Sequence, residues 1–170
     1  MNAIELAQKV AYALLTHEEK AKKASKAFRK WDGKTPYGVH PIWCATTLLH
    51  ETSIPEDLRN EGAEALLFHD ILEDTTAELP DGTSDRIGKL VDGMTFEGGT
   101  AQEMQEVWSR SKEIRLLKLY DKVSNLLDAE IWMTPEKLAT YRAYTKKLAD
   151  DVESNYGTLN IVRLARALAP

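Results

Sequence analysis

The chain has 170 residues, with 22 Lys and Arg against 27 Asp and Glu, a formal net charge of −5, and 43% hydrophobic and 29% charged residues. That length suits one domain with a proper core and is short for two ordinary ones. The acidic balance argues against a general nucleic-acid binder, which presents a basic surface, and nowhere does the sequence run through the roughly 18 apolar residues that a membrane span needs.

From the N-terminus, Ile4, Ala7, Val10, Ala11, Leu14 and Leu15 recur at three-to-four spacing, which predicts a first helix over 2–15 with that set as its apolar face. No basic start followed by an apolar block opens the chain, so a signal peptide is not expected and the cytoplasm is the expected location. A Lys- and Ala-rich helix is expected over 17–30. The lone Cys44 excludes a disulfide framework and a multi-cysteine zinc site, and its apolar neighbours make it a core residue. Ser53-Ile54-Pro55-Glu56 has capping-box spacing and predicts a helix over 55–73. Residues 79–84 read as a turn and 95–100 as a glycine-bearing loop ahead of a long helix over 101–130. Thr134-Pro135-Glu136 starts another helix, Tyr156-Gly157 ends it, and a short helix over 159–168 closes the chain. No strand pattern competes, so the fold class is all-α.

Within these helices, Leu67-Phe68-His69-Asp70-Ile71-Leu72-Glu73-Asp74-Thr75 places four ionisable side chains in an apolar stretch, where charge is costly unless compensated. A divalent metal would compensate it. His40 upstream and Asp121 downstream complete a set of two imidazoles and two carboxylates, His40, His69, Asp70 and Asp121. Such a nitrogen and oxygen set suits Mn, Fe, Zn or Co better than Ca. Helical spacing stands His69 above Glu73 and Asp70 above Asp74, so these two further acids are placed to handle the proton of an attacking water. Asn125 projects with Asp121 from the later helix. His17 and His50 fit no motif and read as surface or packing residues.

Four motifs occur in fixed order: Arg29-Lys30 through Pro36-Tyr37 to His40-Pro41, then Leu67 to Thr75, then Ile87 to Thr95, then Lys118 to Asn125. Together they resemble the HD-domain phosphohydrolases, specifically the hydrolase domain of Rel/Spo homologues that remove pyrophosphate from (p)ppGpp. The resemblance implies a single-domain HD-type helical bundle over 1–170. It also implies a metal centre of His40, His69, Asp70 and Asp121, with Mn²⁺ favoured, and catalytic roles for Glu73 and Asp74. Arg29, Lys30 and Asn125 are then substrate contacts, with the arginine packed on the base and Trp31 a neighbouring aromatic. Lys34, Lys112, Arg115, Lys118 and Lys122 are further candidates for phosphate contact, and the loop over 95–100 is a candidate lid.

The sequence departs from the family where A-H-x-G-Q-x-R-K is common and Lys23-Ala24-Ser25-Lys26-Ala27-Phe28-Arg29-Lys30 stands. It departs again at Ser124 in place of histidine and at Asp128 in place of a small or hydroxylated residue. These changes touch the nucleotide frame and leave the metal set whole. The 170 residues leave no room for a synthetase domain, so hydrolysis without synthesis is expected. The expected reaction is metal-dependent hydrolysis of (p)ppGpp to GDP or GTP and pyrophosphate. The alternatives are another nucleotide substrate such as (p)ppApp or the 2′-phosphate of NADPH, and, in a different class, a nucleotide-binding regulator without turnover. The oligomeric state is not legible.

Overall fold

The computed structural model describes residues 3–170. Among them the elements are helical: α1 (Ala3–Lys20), α2 (Val39–Leu49), α3 (Glu56–Phe68), α4 (Ile71–Asp74), α5 (Asp85–Met94), α6 (Gly99–Glu106), α7 (Lys112–Leu126), α8 (Ala129–Trp132), α9 (Pro135–Tyr156) and α10 (Asn160–Leu168). The all-α expectation holds. None of these helices is long and apolar enough to cross a membrane.

α7 is the axis of the bundle, packed against α2, α3, α5, α9 and α10. Leu116, Leu117, Leu119, Tyr120 and Val123 on it are fully buried, and a helix buried on every side must direct its polar residues into a site or pair them. α7 does this with Lys118, Asp121, Lys122 and Ser124. Close approach of α3 to α2 and α7 depends on Gly62, where a Cβ would come within 2.8 Å of Leu48 and 2.9 Å of Leu117.

Several helix ends follow local chemistry. The Thr134 side chain accepts from the backbone N–H of Lys137 with Pro135 in the first turn, and α9 stops at Gly157, whose φ of 82° suits glycine. Ser84 and Ser111 cap α5 and α7 in the same way.

Other boundaries differ from expectation. The first helix runs on to Lys20, and Asn2, where it was expected to start, lies outside the described residues. The side it turns to the core carries half-buried Leu6 and Val10 and buried Ala13, Thr16 and His17, while Ile4 and Leu15 are 73% and 52% exposed. Two apolar stripes share the same spacing, and packing against α2, α3 and α4 selects the one that the longer apolar run does not mark. No helix covers 17–30. Residues 27–37 instead fold back on themselves, with Tyr37 N–H donating to Ala27 O and Arg29 N–H to Thr35 O. Asp32 accepts from the N–H groups of Lys34 and Thr35 beside Gly33 at φ 66°, making the turn.

The expected helix over 55–73 is broken at the His-Asp pair. His69 Nδ1–H donates to Leu66 O at 2.7 Å, taking the carbonyl that a continuing helix would offer to Asp70 N–H. The Ser53–Glu56 capping box does not form, because Pro55 takes the cap position without a side-chain bond. The long helix over 101–130 is likewise three helices. Ser111 restarts the chain after a 3₁₀ turn at Val107–Ser109.

Candidate active site

His40 comes from the first turn of α2, His69 and Asp70 from the break between α3 and α4, and Asp121 from the middle of α7. Their donor atoms converge. His40 Nε2 lies 3.3 Å from His69 Nε2, 3.5 Å from Asp70 Oδ2 and 3.4 Å from Asp121 Oδ1. His69 Nε2 lies 3.1 Å from Asp70 Oδ2 and 3.9 Å from Asp121 Oδ1. Ligands bound at about 2.1 Å, at tetrahedral or octahedral angles, stand roughly 3.0–3.4 Å from their neighbours. His40, His69 and Asp70 bring donor atoms close enough together to hold a divalent metal ion, and Asp121 approaches them from α7.

The tautomers fit as well. The carbonyl of Leu66 can only accept, so His69 Nδ1 carries a proton, and in the neutral ring Nε2 has the lone pair that a metal needs. His40 Nδ1 meets Ser124 Oγ at 2.8 Å, which leaves its Nε2 facing the same point. Tyr37 OH donates to Asp70 Oδ2 at 2.6 Å, and Asn125 Nδ2 donates to Asp121 Oδ1 at 2.8 Å. Lys118 and Lys122 reach Asp121 Oδ2 at 2.8 and 3.1 Å, and both also contact buried Glu103 at 2.8 Å. Each carboxylate is thereby oriented by groups behind it.

Without an ion, the cluster balances its own charge. Burial alone would raise Asp121, but Lys118 and Lys122 hold its carboxyl well below the usual range. Burial opposes His69⁺, yet the Asp70 and Asp121 carboxylates overcome this and hold its pKa up at about 9. Burial pushes His40 down.

Glu73 and Asp74 follow on α4. Both carboxyls are raised, chiefly by burial and then by the Asp70 charge, with Lys26 opposing the rise at each. Asp74 is 4% exposed and paired to Lys26 Nζ at 2.7 Å, whereas Glu73 has no ion-pair partner among the described residues. Lys26 is brought there by backbone pairing of the segment after α1 with the end of α4, with Lys22 N–H donating to Asp74 O and Thr76 N–H to Lys20 O.

One cavity joins these groups. It is lined by Asp70, Glu73, Asp74 and Asp121 together with Arg29, Lys30, Asn125, Trp132 and Lys137. Of the sequence-predicted residues, Arg29, Lys30 and Asn125 all line it, as do Lys118 and Lys122. Lys34, Lys112 and Arg115 do not. Arg115 pairs with Asp151 and Lys112 lies over Tyr156. Trp31 is a rim aromatic away from this cavity, lying 43% exposed in a separate apolar groove with Val39, Trp43 and Ile131. Trp132 is the cavity's tryptophan. The loop over 95–100 borders the cavity through Phe96, Gly99 and Thr100, but Phe96 is 2% exposed and anchors it beneath Lys118.

His17 takes the packing alternative of its two expected readings. It is fully buried, its ring 4.8 Å from that of Tyr37, and among the described residues neither ring nitrogen has a hydrogen-bond partner. Burial lowers its pKa to about 4. Its spacing from Val10 and Ala13 was the available signal, masked by the competing apolar stripe. Glu103 and Tyr144, whose OH donates to Glu103 at 2.8 Å, carry no motif and were legible only in three dimensions.

No protein-family model matches the chain. Three curated proteins named guanosine-3′,5′-bis(diphosphate) 3′-pyrophosphohydrolase MESH1 do resemble it. That of Drosophila melanogaster is 27% identical over 165 residues, covering 88% of this chain and 86% of its own. That of Xenopus tropicalis is 31% identical with 84% and 83% covered, and that of Homo sapiens 30% identical with 81% of each covered. A solved structure of a metazoan ortholog of SpoT that hydrolyses ppGpp matches with a TM-score of 0.73 at 22% identity, over 99% of this chain and 95% of that one. That likeness is one of fold.

Proposed function

The chain belongs to the MESH1 family of guanosine-3′,5′-bis(diphosphate) 3′-pyrophosphohydrolases, and on that premise we propose that it hydrolyses ppGpp or pppGpp to GDP or GTP and pyrophosphate. The carrying observation is the convergence of His40, His69 and Asp70, with Asp121 beside them, next to a cavity that Asp70 and Asp121 line together with Glu73 and Asp74.

In this reading His40, His69, Asp70 and Asp121 hold a divalent metal, a donor set that suits Mn, Fe, Zn or Co, with Mn²⁺ favoured by the family resemblance. A bound ion supplies an acidified water and neutralises charge on the phosphoryl group. Glu73, half-buried in the cavity wall and free of an ion pair, moves a proton, its raised pKa bringing it closer to the working range. Asp74, fixed by Lys26, orients the water. Lys118 and Lys122 hold Asp121, and Arg29, Lys30 and Asn125 frame the nucleotide.

The test is incubation of metal-stripped protein with ppGpp, with and without Mn²⁺, and separation of the products by ion exchange. GDP and pyrophosphate appearing only with metal is the expected result. Release of orthophosphate, or no turnover, would overturn the proposed substrate. A second reading keeps the chemistry and changes the nucleotide to (p)ppApp or NADPH. It is favoured by Asp128, which ties up Arg29 in the nucleotide frame, and a nucleotide panel separates the two. The presence of Glu73, Asp74 and Asp121 together speaks against a regulator without turnover.

A further inference from the structure

Asp128 does not line the central cavity. It lies behind the wall, in the outer groove with Leu127 and Ile131, while Arg29 lines both spaces and Trp132 lines the inner one. From there its two oxygens each hold a flat group of the cavity wall. Oδ2 accepts from Arg29 Nε at 3.2 Å and Nη2 at 2.8 Å, and Oδ1 accepts from Trp132 Nε1 at 2.8 Å.

The consequence for Arg29 is geometric. Its Nε/Nη2 edge, the side that forms a bidentate grip on a phosphate, is taken by Asp128. Its Nη1 reaches Asn125 Oδ1 at 3.3 Å, and Asn125 Nδ2 in turn donates to Asp121 Oδ1. The guanidinium is 8% exposed as a residue and fixed in plane by neighbours on two sides. A guanidinium so held offers its flat surface more readily than its fork, and a flat cation recognises a planar aromatic base.

We propose that Asp128 is a specificity-determining positioning residue, which holds Arg29 and Trp132 from behind so that turnover depends on the nucleobase of the substrate. The inference rests on reading this site as a nucleotide hydrolase. Asp128→Asn keeps the shape and an acceptor for Trp132 while removing the charge that fixes Arg29, and it guards against loss of fold. Asp128→Ala removes both.

The experiment compares kcat and KM of the Mn²⁺-loaded wild type and both variants on ppGpp and on base-free ribose 3′,5′-bis(diphosphate), with thermal melting of each protein alongside. For Asp128→Ala, KM for ppGpp should rise roughly ten-fold with kcat within about two-fold, the size expected of one base-stacking contact. Asp128→Asn should fall between it and wild type, and the constants for the base-free compound should be unchanged in every protein. Equal losses on both compounds, or an unchanged KM for ppGpp in Asp128→Ala, would overturn the inference. If the wild type turns over neither compound, calorimetric binding of ppGpp decides. Tight binding weakened roughly ten-fold in Asp128→Ala upholds the role of Asp128 while the hydrolase reading falls, and absence of binding by the wild type overturns both.

Discussion

The ammonium of Lys26 lies 2.7 Å from Oδ1 of Asp74, the more buried of the two acids that follow the His-Asp pair. Lys26 stands where the family pattern has glycine, so here the acid has acquired a counter-charge from the chain's own departure. Asp74 is raised by burial and by Asp70, with Lys26 opposing that rise. Lys26→Ala should therefore move the Asp74 carboxyl further up and shift the acid limb of the kcat profile to higher pH. At pH 6 activity should fall about three- to ten-fold relative to wild type, with little change at pH 8. A superimposable profile would remove Asp74 from the proton chemistry.

Glu73 tests the proposed proton transfer more directly. Glu73→Gln should lower kcat by roughly 10²–10⁴ while leaving nucleotide affinity and the metal-induced rise in melting temperature intact. Retention of more than about a tenth of wild-type kcat would reassign the role.

Metal binding should release a proton. At pH 7.5 an ion-free His69 with a pKa of about 9 is protonated, and a ligand must be neutral, so each ion displaces that proton and affinity falls as pH falls. Calorimetric titration with Mn²⁺ in buffers of different ionisation enthalpy measures the proton count. In the same protein an excess of about 100-fold over the dissociation constant should stabilise the fold by about 2.7 kcal/mol, an effect absent from His40→Ala.

His17 makes stability depend on pH. Its folded pKa of about 4 lies below the unfolded value of 6.5, so between these the unfolded chain binds a proton that the native state does not. The stability from keeping His17 neutral is complete above pH 6.5 and is lost as pH falls toward 4, amounting to about 3 kcal/mol. Urea midpoints at pH 7 and 4.5 should converge in His17→Phe relative to wild type, and an identical pH dependence would contradict the burial argument.

Glu103 holds two lysines that would otherwise share Asp121 alone. Glu103→Gln should cost about 3–5 kcal/mol in urea unfolding, because buried ammonium charge is left without its partner. A loss under about 1 kcal/mol would mean that Lys118 and Lys122 re-pair or reach solvent.

The all-α class, the capped starts at Thr134 and the stop at Gly157 were legible from the amino acids, because capping and φ preference act within a few residues. The order of His40, His69-Asp70 and Asp121 was legible too, since ionisable groups in apolar helices stand out wherever they fall. The break at His69 was not. It depends on a side chain taking the Leu66 carbonyl, a competition that helical periodicity does not record. The fold-back of 27–37 was not legible because Lys and Ala are good helix formers, a local preference that the Asp32-Gly33 turn and the Ala27–Tyr37 pairing override.

What the sequence by itself determined is therefore the chemistry on offer: two imidazoles, their carboxylates and a set of flanking acids and cations, on helices. Tertiary structure alone decided which face of α1 is buried, and so that His17 is in the core. It also decided that Glu103 stands behind Lys118 and Lys122, that Lys26 meets Asp74 and that Asp128 grips Arg29 from outside the cavity. These pairs join residues from 15 to 99 positions apart. Local propensity acts over a few residues, whereas the partner of a buried charge is whichever opposite charge the packed core brings within reach.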